Sequence, residues 1–348
     1  MIIRKRATVI KNKYIILGNG FSIDLMKRLG ASKEINLTNL FSGGENVLFP
    51  KTNEKGFISA KHCPNLWTLG VSSSISTEES NQLINNIITC ANVYNLSKER
   101  NAGESELNIY LKAYFELSSY LRRLFIHYNC LVSDDDIKHN AESIPLIKYI
   151  KNAINENYQI NIITYNYDVW LERLLNACGI DFSISGFSEQ KSIVDIYKPH
   201  GSISFSFKTK LAETAPYKIK FSTDDIAQDV KDFDVIYDLK DDYPIVNSLI
   251  PPAGDSERYP FGWISTIRKQ LSNCIEASQN EDELLIYGVS YWHVDRNEID
   301  EILIHMKPNI DVKLVNPYPP SDFNAVLSSL FKNYIQYTDG ASIVKEEK

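Results

Sequence analysis

KYIILGNGFSIDLMKRL, residues 13–29, decides how this chain folds. Tyr14-Ile15-Ile16-Leu17 is a short apolar run and reads as a buried strand. Gly18-Asn19-Gly20 turns the chain, and Phe21, Ile23, Leu25, Met26 and Leu29 then follow at helical spacing. A strand, a glycine turn and a helix make an anion cradle. The turn has no side-chain bulk, and the first N–H groups of the helix face the anion along the favourable end of its dipole.

The same unit recurs along the chain. Residues 160–164 (INIIT) form a β-rich run that enters Tyr165-Asn166-Tyr167-Asp168, with helical spacing again over 169–177. Residues 194–197 form a short strand ending at Lys198-Pro199-His200-Gly201-Ser202. Residues 284–287 form another, followed by Gly288-Val289-Ser290, and 312–315 a further one, ending at Asn316-Pro317. Helices are expected over 261–277, 299–306 and 323–334, with a frayed polar tail from Ala341. This alternation predicts an α/β fold: a Rossmann-like parallel sheet with helices on both faces. Such sheets bind ligands outside the carboxyl ends of their strands, and all five polar turns fall there.

Between the first two strands the sequence changes character. Residues 30–70 are irregular and rich in Asn, Ser, Gly and Lys; they read as a loop over the glycine turn, a candidate lid. Residues 77–93, 105–128 and 144–154 read as helices, and Asp134-Asp135-Asp136 as a solvated turn or helix start. The stripe from Leu107 to Phe125 suits core or subunit packing. The expected organisation is one domain over 1–348. Its Rossmann-like core comprises 13–74 and 158–338, with a helical insertion at 75–157.

Composition narrows the function classes. A net charge of −7 over 348 residues argues against a nucleic-acid groove, and Arg4-Lys5-Arg6 is too small a cluster to reverse that. The five cysteines are scattered without a CxxC pair, which fits a reducing cytoplasm rather than a disulfide framework or zinc ribbon. No signal peptide is expected, and no apolar stretch approaches the ~20 residues that span a bilayer.

Several chemistries lack their residues. A GxGxxG dinucleotide fingerprint would place glycine where Ile23 stands, and no second strand carries the acidic ribose ligand near 37–49. No Gly-Lys-Ser/Thr follows the turn, no GxSxG occurs, and the six histidines show no HExxH spacing. His293, beside Trp292, reads as surface or packing. Taken singly, Gly18 and Gly20 could serve only a tight turn, Asn166 could cap a helix, and His200 could be structural.

Taken together, GNGFS at 18–22, TYNYD at 164–168, HGS at 200–202, GVS at 288–290 and VN at 315–316 resemble the sirtuin superfamily, in its order. The resemblance spans most of the chain, loosely over 30–158. It implies an NAD+ site in which Gly18, Asn19, Gly20, Phe21 and Ser22 hold the phosphates. Thr164, Asn166 and Asp168 would lie beside the nicotinamide and its ribose, with Asp24 a further ribose candidate. Gly288 and Ser290 would meet the phosphate–ribose part and Asn316 the adenosine ribose. His200 would be the base, with Asn166 its catalytic partner.

Departures refine the expectation. Residues 201–260 contain no cysteine, so the four-cysteine zinc module of sirtuin deacylases is missing, as are the peptide-clamping strand and the GIPDFR continuation of the first motif. A zinc-free domain with these motifs looks like the bacterial NAD+-hydrolysing branch used in abortive phage defence. That resemblance implies a cytoplasmic NAD+ glycohydrolase with no metal. It also implies a homo-oligomer, built on the helix at 105–128, and a phage-sensing partner, a HerA-type ATPase ahead of a short Argonaute. A zinc-free deacylase or ADP-ribosyltransferase and a non-catalytic NAD+ or ADP-ribose sensor remain the alternatives.

Overall fold

A computed structural model describes residues 11–96, 108–221, 228–240, 243–251, 262–292 and 296–345. Arg4-Lys5-Arg6, the start of the helix expected from Ser105, and His293 lie outside these residues. The chain builds a seven-stranded, wholly parallel sheet of Rossmann-like α/β type. Its strands are β1 (Asn12–Leu17), β2 (Gln159–Thr164), β3 (Phe182–Ile184), β4 (Val194–Tyr197), β7 (Glu283–Tyr287), β8 (Asp311–Val315) and β9 (Asn333–Tyr337). Their order is β3-β4-β2-β1-β7-β8-β9. A small antiparallel pair, β5 (Phe205–Phe207) with β6 (Phe233–Val235), stands apart from the sheet.

Period-two alternation explains why the central strands read as unbroken apolar runs. In β1, Ile15 and Leu17 enter one core while Tyr14 and Ile16 enter another; in β7, Leu285 and Tyr287 part from Leu284 and Ile286 in the same way. Two separate cores on alternate residues mean that both faces of the sheet are covered. One face carries α1 (Asn19–Arg28), α4 (Ile109–Leu131), α6 (Pro145–Asn155) and α7 (Trp170–Ala177). The other carries α9 (Arg296–His305) and α10 (Ser321–Leu330), while α8 (Gly262–Glu276) contributes to both. The insertion also contains α3 (Thr77–Leu96) and α5 (Asp134–Ala141), whose first turn is the Asp134-Asp135-Asp136 cluster, capped by Ser133.

The chain leaves β1 for β2 on one side and later reaches β7 on the other, so the strand order reverses between β1 and β7. This is the topological switch point, where a crevice opens at the carboxyl ends of the strands.

Several expectations are corrected. The helix expected over 323–334 stops at Leu330, because Phe331 turns extended, and residues 333–337 form the edge strand β9. The segment at 30–70 is no open lid: Phe41, Phe57, Cys63 and Leu66 are fully buried in the core, and a short helix, α2 (Pro64–Thr68), lies within it. Ile23 points outward from α1. Nearly every residue of α4 from Leu111 to Tyr128 is buried within the chain, so its stripe packs into the core. The tail is anchored by α11 (Ser342–Lys345), through fully buried Ile343.

Candidate active site

The switch point is built on a contact between glycine backbones. Gly18 N–H donates to Tyr287 O (3.0 Å) and Gly20 N–H to Gly288 O (2.8 Å). A Cβ on Gly18 would lie 2.6 Å from Gly288 O, and one on Gly20 would lie 2.6 Å from Gly288 Cα. Gly288 itself has φ +67°, and a Cβ there would run into Phe21 N and Gly20 C. The two turns therefore touch through backbone alone. One expectation changes as a result: the Gly20 N–H and the Phe21 N–H, which donates to Gly18 O at 3.0 Å, are spent inside the protein. The anion-facing field at this end comes from the helix dipole and the bare turn rather than from those two groups.

A second layer ties this turn to the end of β2. Asn166 Nδ2 donates to Gly18 O (3.0 Å) and to Ser22 Oγ (3.0 Å), and Ser22 Oγ donates to Asp168 Oδ2 (2.8 Å). Asn166 N–H donates to Thr164 Oγ1 (3.2 Å), which shapes the turn. Ser22 is fully buried and Asp168 nearly so, which makes them the bridge between the two turns. The helix begins at Trp170 with Val169 at its N-cap, and Asp168 Oδ1 accepts from Trp170 N–H at 3.2 Å, so Asn166 does not cap it. Burial pushes the Asp168 carboxyl up to about 6, although the Lys198 charge and the Ser22 hydrogen bond oppose the shift.

His200 lies on the neighbouring turn. β4 pairs with β2 up to Ile163–Tyr197, and the chain then bends through Lys198 to Ser202 beside 165–168. The Tyr165 ring, one residue before Asn166, lies 4.8 Å from the His200 ring, and Ile203 N–H donates to Tyr167 O at 3.0 Å. Lys198 is fully buried and donates to Asp168 O (2.6 Å) and Glu172 Oε1 (2.7 Å), clamping the two turns from below.

His200 is almost wholly buried and has a charged partner that no local motif announces. Its Nε2 lies 2.8 Å from Glu298 Oε2, and Arg268 donates to Glu298 Oε1 at 2.6 Å. Burial pushes the Glu298 carboxyl up, but the His200 and Arg268 charges with the His200 hydrogen bond overcome it. Glu298 is therefore held below the usual carboxylate range. A carboxylate fixed in this way orients an imidazole and stabilises the charge the ring gains on taking a proton.

The remaining predicted residues fall at the same edge with unequal roles. Asn316 Nδ2 donates to Val289 O (3.1 Å), and Ser290 is exposed on that same turn. Phe21 packs its buried ring edge-to-face on Tyr287 at 5.6 Å, so only its backbone belongs to the turn. Asp24 accepts from Tyr287 O–H (2.6 Å) and Arg28 Nε (2.7 Å). Asn19 Nδ2 donates to Leu37 O (2.8 Å) and fastens the segment at 30–70 to the turn. The sequence missed Lys198, Glu298 and Arg268; 98 positions separate the histidine from its carboxylate.

No group of three or more metal-binding side chains occurs among the described residues, and none of their helices is long and apolar enough to cross a membrane. No protein-family model matches the chain, and a comparison with curated proteins finds no match.

Proposed function

We propose that this protein is an NAD+ glycohydrolase that cleaves NAD+ to nicotinamide and ADP-ribose. The observation that carries the reading is the meeting of three turns at one sheet edge: the glycine pair at the switch point, Asn166 hydrogen-bonded to it, and His200 with Glu298 on the next turn. The five motifs that resemble the sirtuin superfamily supply the choice of NAD+ within the ligands such an edge can bind.

The chemistry asks little covalent help. The bond between nicotinamide N1 and ribose C1′ breaks through an oxocarbenium-like state, and nicotinamide leaves as a neutral amide. Water adds to C1′ and gives up one proton, so ADP-ribose forms and the charge balances. The pyrophosphate lies against the bare glycine turn at the positive end of α1. Asn166, with Nδ2 committed to Gly18 and Ser22, offers Oδ1 to the water or the carboxamide. His200 takes the proton, and Glu298 stabilises the imidazolium in a site screened from bulk water.

The same resemblance supplies a biological setting: NAD+ depletion in anti-phage abortive defence, in the cytoplasm, within a homo-oligomer. Constant NAD+ loss would kill the host, so a HerA-type ATPase or another phage-sensing protein releases the activity.

The test is nicotinamide release from NAD+, followed with NAD+ binding. Release by the wild type should fall by about 100- to 10,000-fold in His200→Ala while NAD+ binding persists. A wild-type protein that does not bind NAD+, or a His200→Ala protein that releases nicotinamide at the native rate, would overturn the reading.

A further inference from the structure

The geometry points to a second ligand site, for a nucleotide, between α4 and the segments at 211–221 and 244–249. A cavity of about 350 Å³ opens there, within the roughly 300–1,000 Å³ range of small-ligand sites. Arg122 and Arg123 line it from α4, and Lys218 and Lys220 from the facing segment. Every charged side chain on its described lining is a cation, in a protein whose net charge is −7. The concentration of positive charge is therefore local and runs against the rest of the molecule.

The lining divides into parts with different chemistry. Arg122 NH1 donates to Phe205 O (3.3 Å) and Ser248 Oγ (3.1 Å), which makes it the anchored floor. The Arg123 guanidinium lies 4.7 Å from the Tyr243 ring centre and 6.0 Å from that of Tyr217. Lys218 and Lys220 are exposed at the rim. Phe115, Tyr217 and Phe221 supply aromatic surface between floor and rim, with Phe115 edge-to-face on Phe221. A guanidinium fork with flanking ammonium groups suits a phosphate, and rings beside it suit a base. The volume admits one nucleotide rather than a strand or a peptide segment.

The site is separate from the sheet edge but joined to it. Leu249 on its wall bridges to Gly201, and the next residue, Ile250, donates its N–H to His200 O at 3.0 Å. An occupant that presses on 244–249 bears on the backbone of the His200 turn. That consequence for turnover rests on the reading of His200 given above; the binding site does not.

Calorimetry on the full chain tests the site, with AMP as the probe and a saturating non-hydrolysable NAD+ analogue, carba-NAD+, present. AMP should bind once per chain and be weakened about tenfold or more by the Lys218→Glu/Lys220→Glu double change, which alters exposed side chains only, and by Arg123→Gln. Asn166→Ala should leave AMP binding unchanged. Inorganic phosphate should bind about tenfold or more weakly than AMP, because it lacks the stacked base. Absence of AMP binding, displacement of AMP by carba-NAD+, indifference to both cation changes, or phosphate binding as tight as AMP would each overturn the proposal. Nicotinamide release reports on the first proposal and AMP binding on this one, so either can fail alone.

Discussion

Glu298 holds His200 and Arg268 at once, with one carboxylate oxygen 2.8 Å from His200 Nε2 and the other 2.6 Å from the Arg268 guanidinium. It places a fixed negative charge behind the imidazole, brought from α9 to the end of β4. Glu298→Gln keeps the shape and removes the charge. Nicotinamide release should fall by about 10- to 100-fold, chiefly in kcat. The acidic limb of the pH–rate profile should move to lower pH, since the imidazolium loses its stabilising partner. A merely structural Glu298 would lower the yield of folded protein and leave that limb where it is.

Asp168 gives a pH dependence of opposite sign to an ordinary paired carboxylate. Burial pushes it up to about 6, whereas in the unfolded chain it titrates near its usual ~4. Between those values the folded protein binds the extra proton, so this group's contribution to stability is full below ~4 and is lost as pH rises through about 6. Asp168→Asn has no such dependence. Chemical denaturation at about pH 5 and about pH 7.5 should show the variant gaining about 1 kcal/mol on the wild type between the two. No gain, or a loss, would contradict the burial argument.

Gly288 tests the contact on which the crevice is built. Gly288→Ala puts a methyl group against Phe21 N and Gly20 C at φ +67°. The backbone cannot yield without separating β1 from β7. The expected loss is about 3 kcal/mol or more, read as a lowered denaturation midpoint. Gly30→Ala, at φ +73° but with open space around it, should lose only about 1 kcal/mol.

Lys198 and Glu172 form an ion pair with both side chains fully buried, 2.7 Å apart. Lys198→Met alone should lose about 3–5 kcal/mol, because it strands the Glu172 charge. Adding Glu172→Leu should recover most of that loss, since the pair's mutual attraction does little more than offset its desolvation. Equal losses in the single and double variants would contradict this.

How far the sequence could be read follows from where each residue sits. β1 and β7 are buried on both faces, so Tyr14-Ile15-Ile16-Leu17 and Leu284-Leu285-Ile286-Tyr287 are continuous apolar runs and declare themselves. β9 is an edge strand, with Ile335 half exposed among polar neighbours, and its first two residues, Asn333 and Tyr334, read as the end of the preceding helix. β3 has only three residues, too few for any period. In the segment at 30–70, Phe41, Phe57 and Leu66 are core residues without regular spacing, so composition alone suggested a lid. The glycines, Asn166 and His200 carry local motifs, whereas Glu298 and Arg268 reach His200 from helices far along the chain and leave no spacing to find.

A crystal structure of His200→Ala soaked with NAD+ tests most directly whether Asn166 and His200 share one substrate carbon. Intact NAD+ is expected, with its pyrophosphate against the Gly18-Asn19-Gly20 turn. The ribose carbon bearing nicotinamide should lie between Asn166 and the space left by the imidazole. NAD+ bound elsewhere, or with that carbon turned away from Asn166, would contradict that placement.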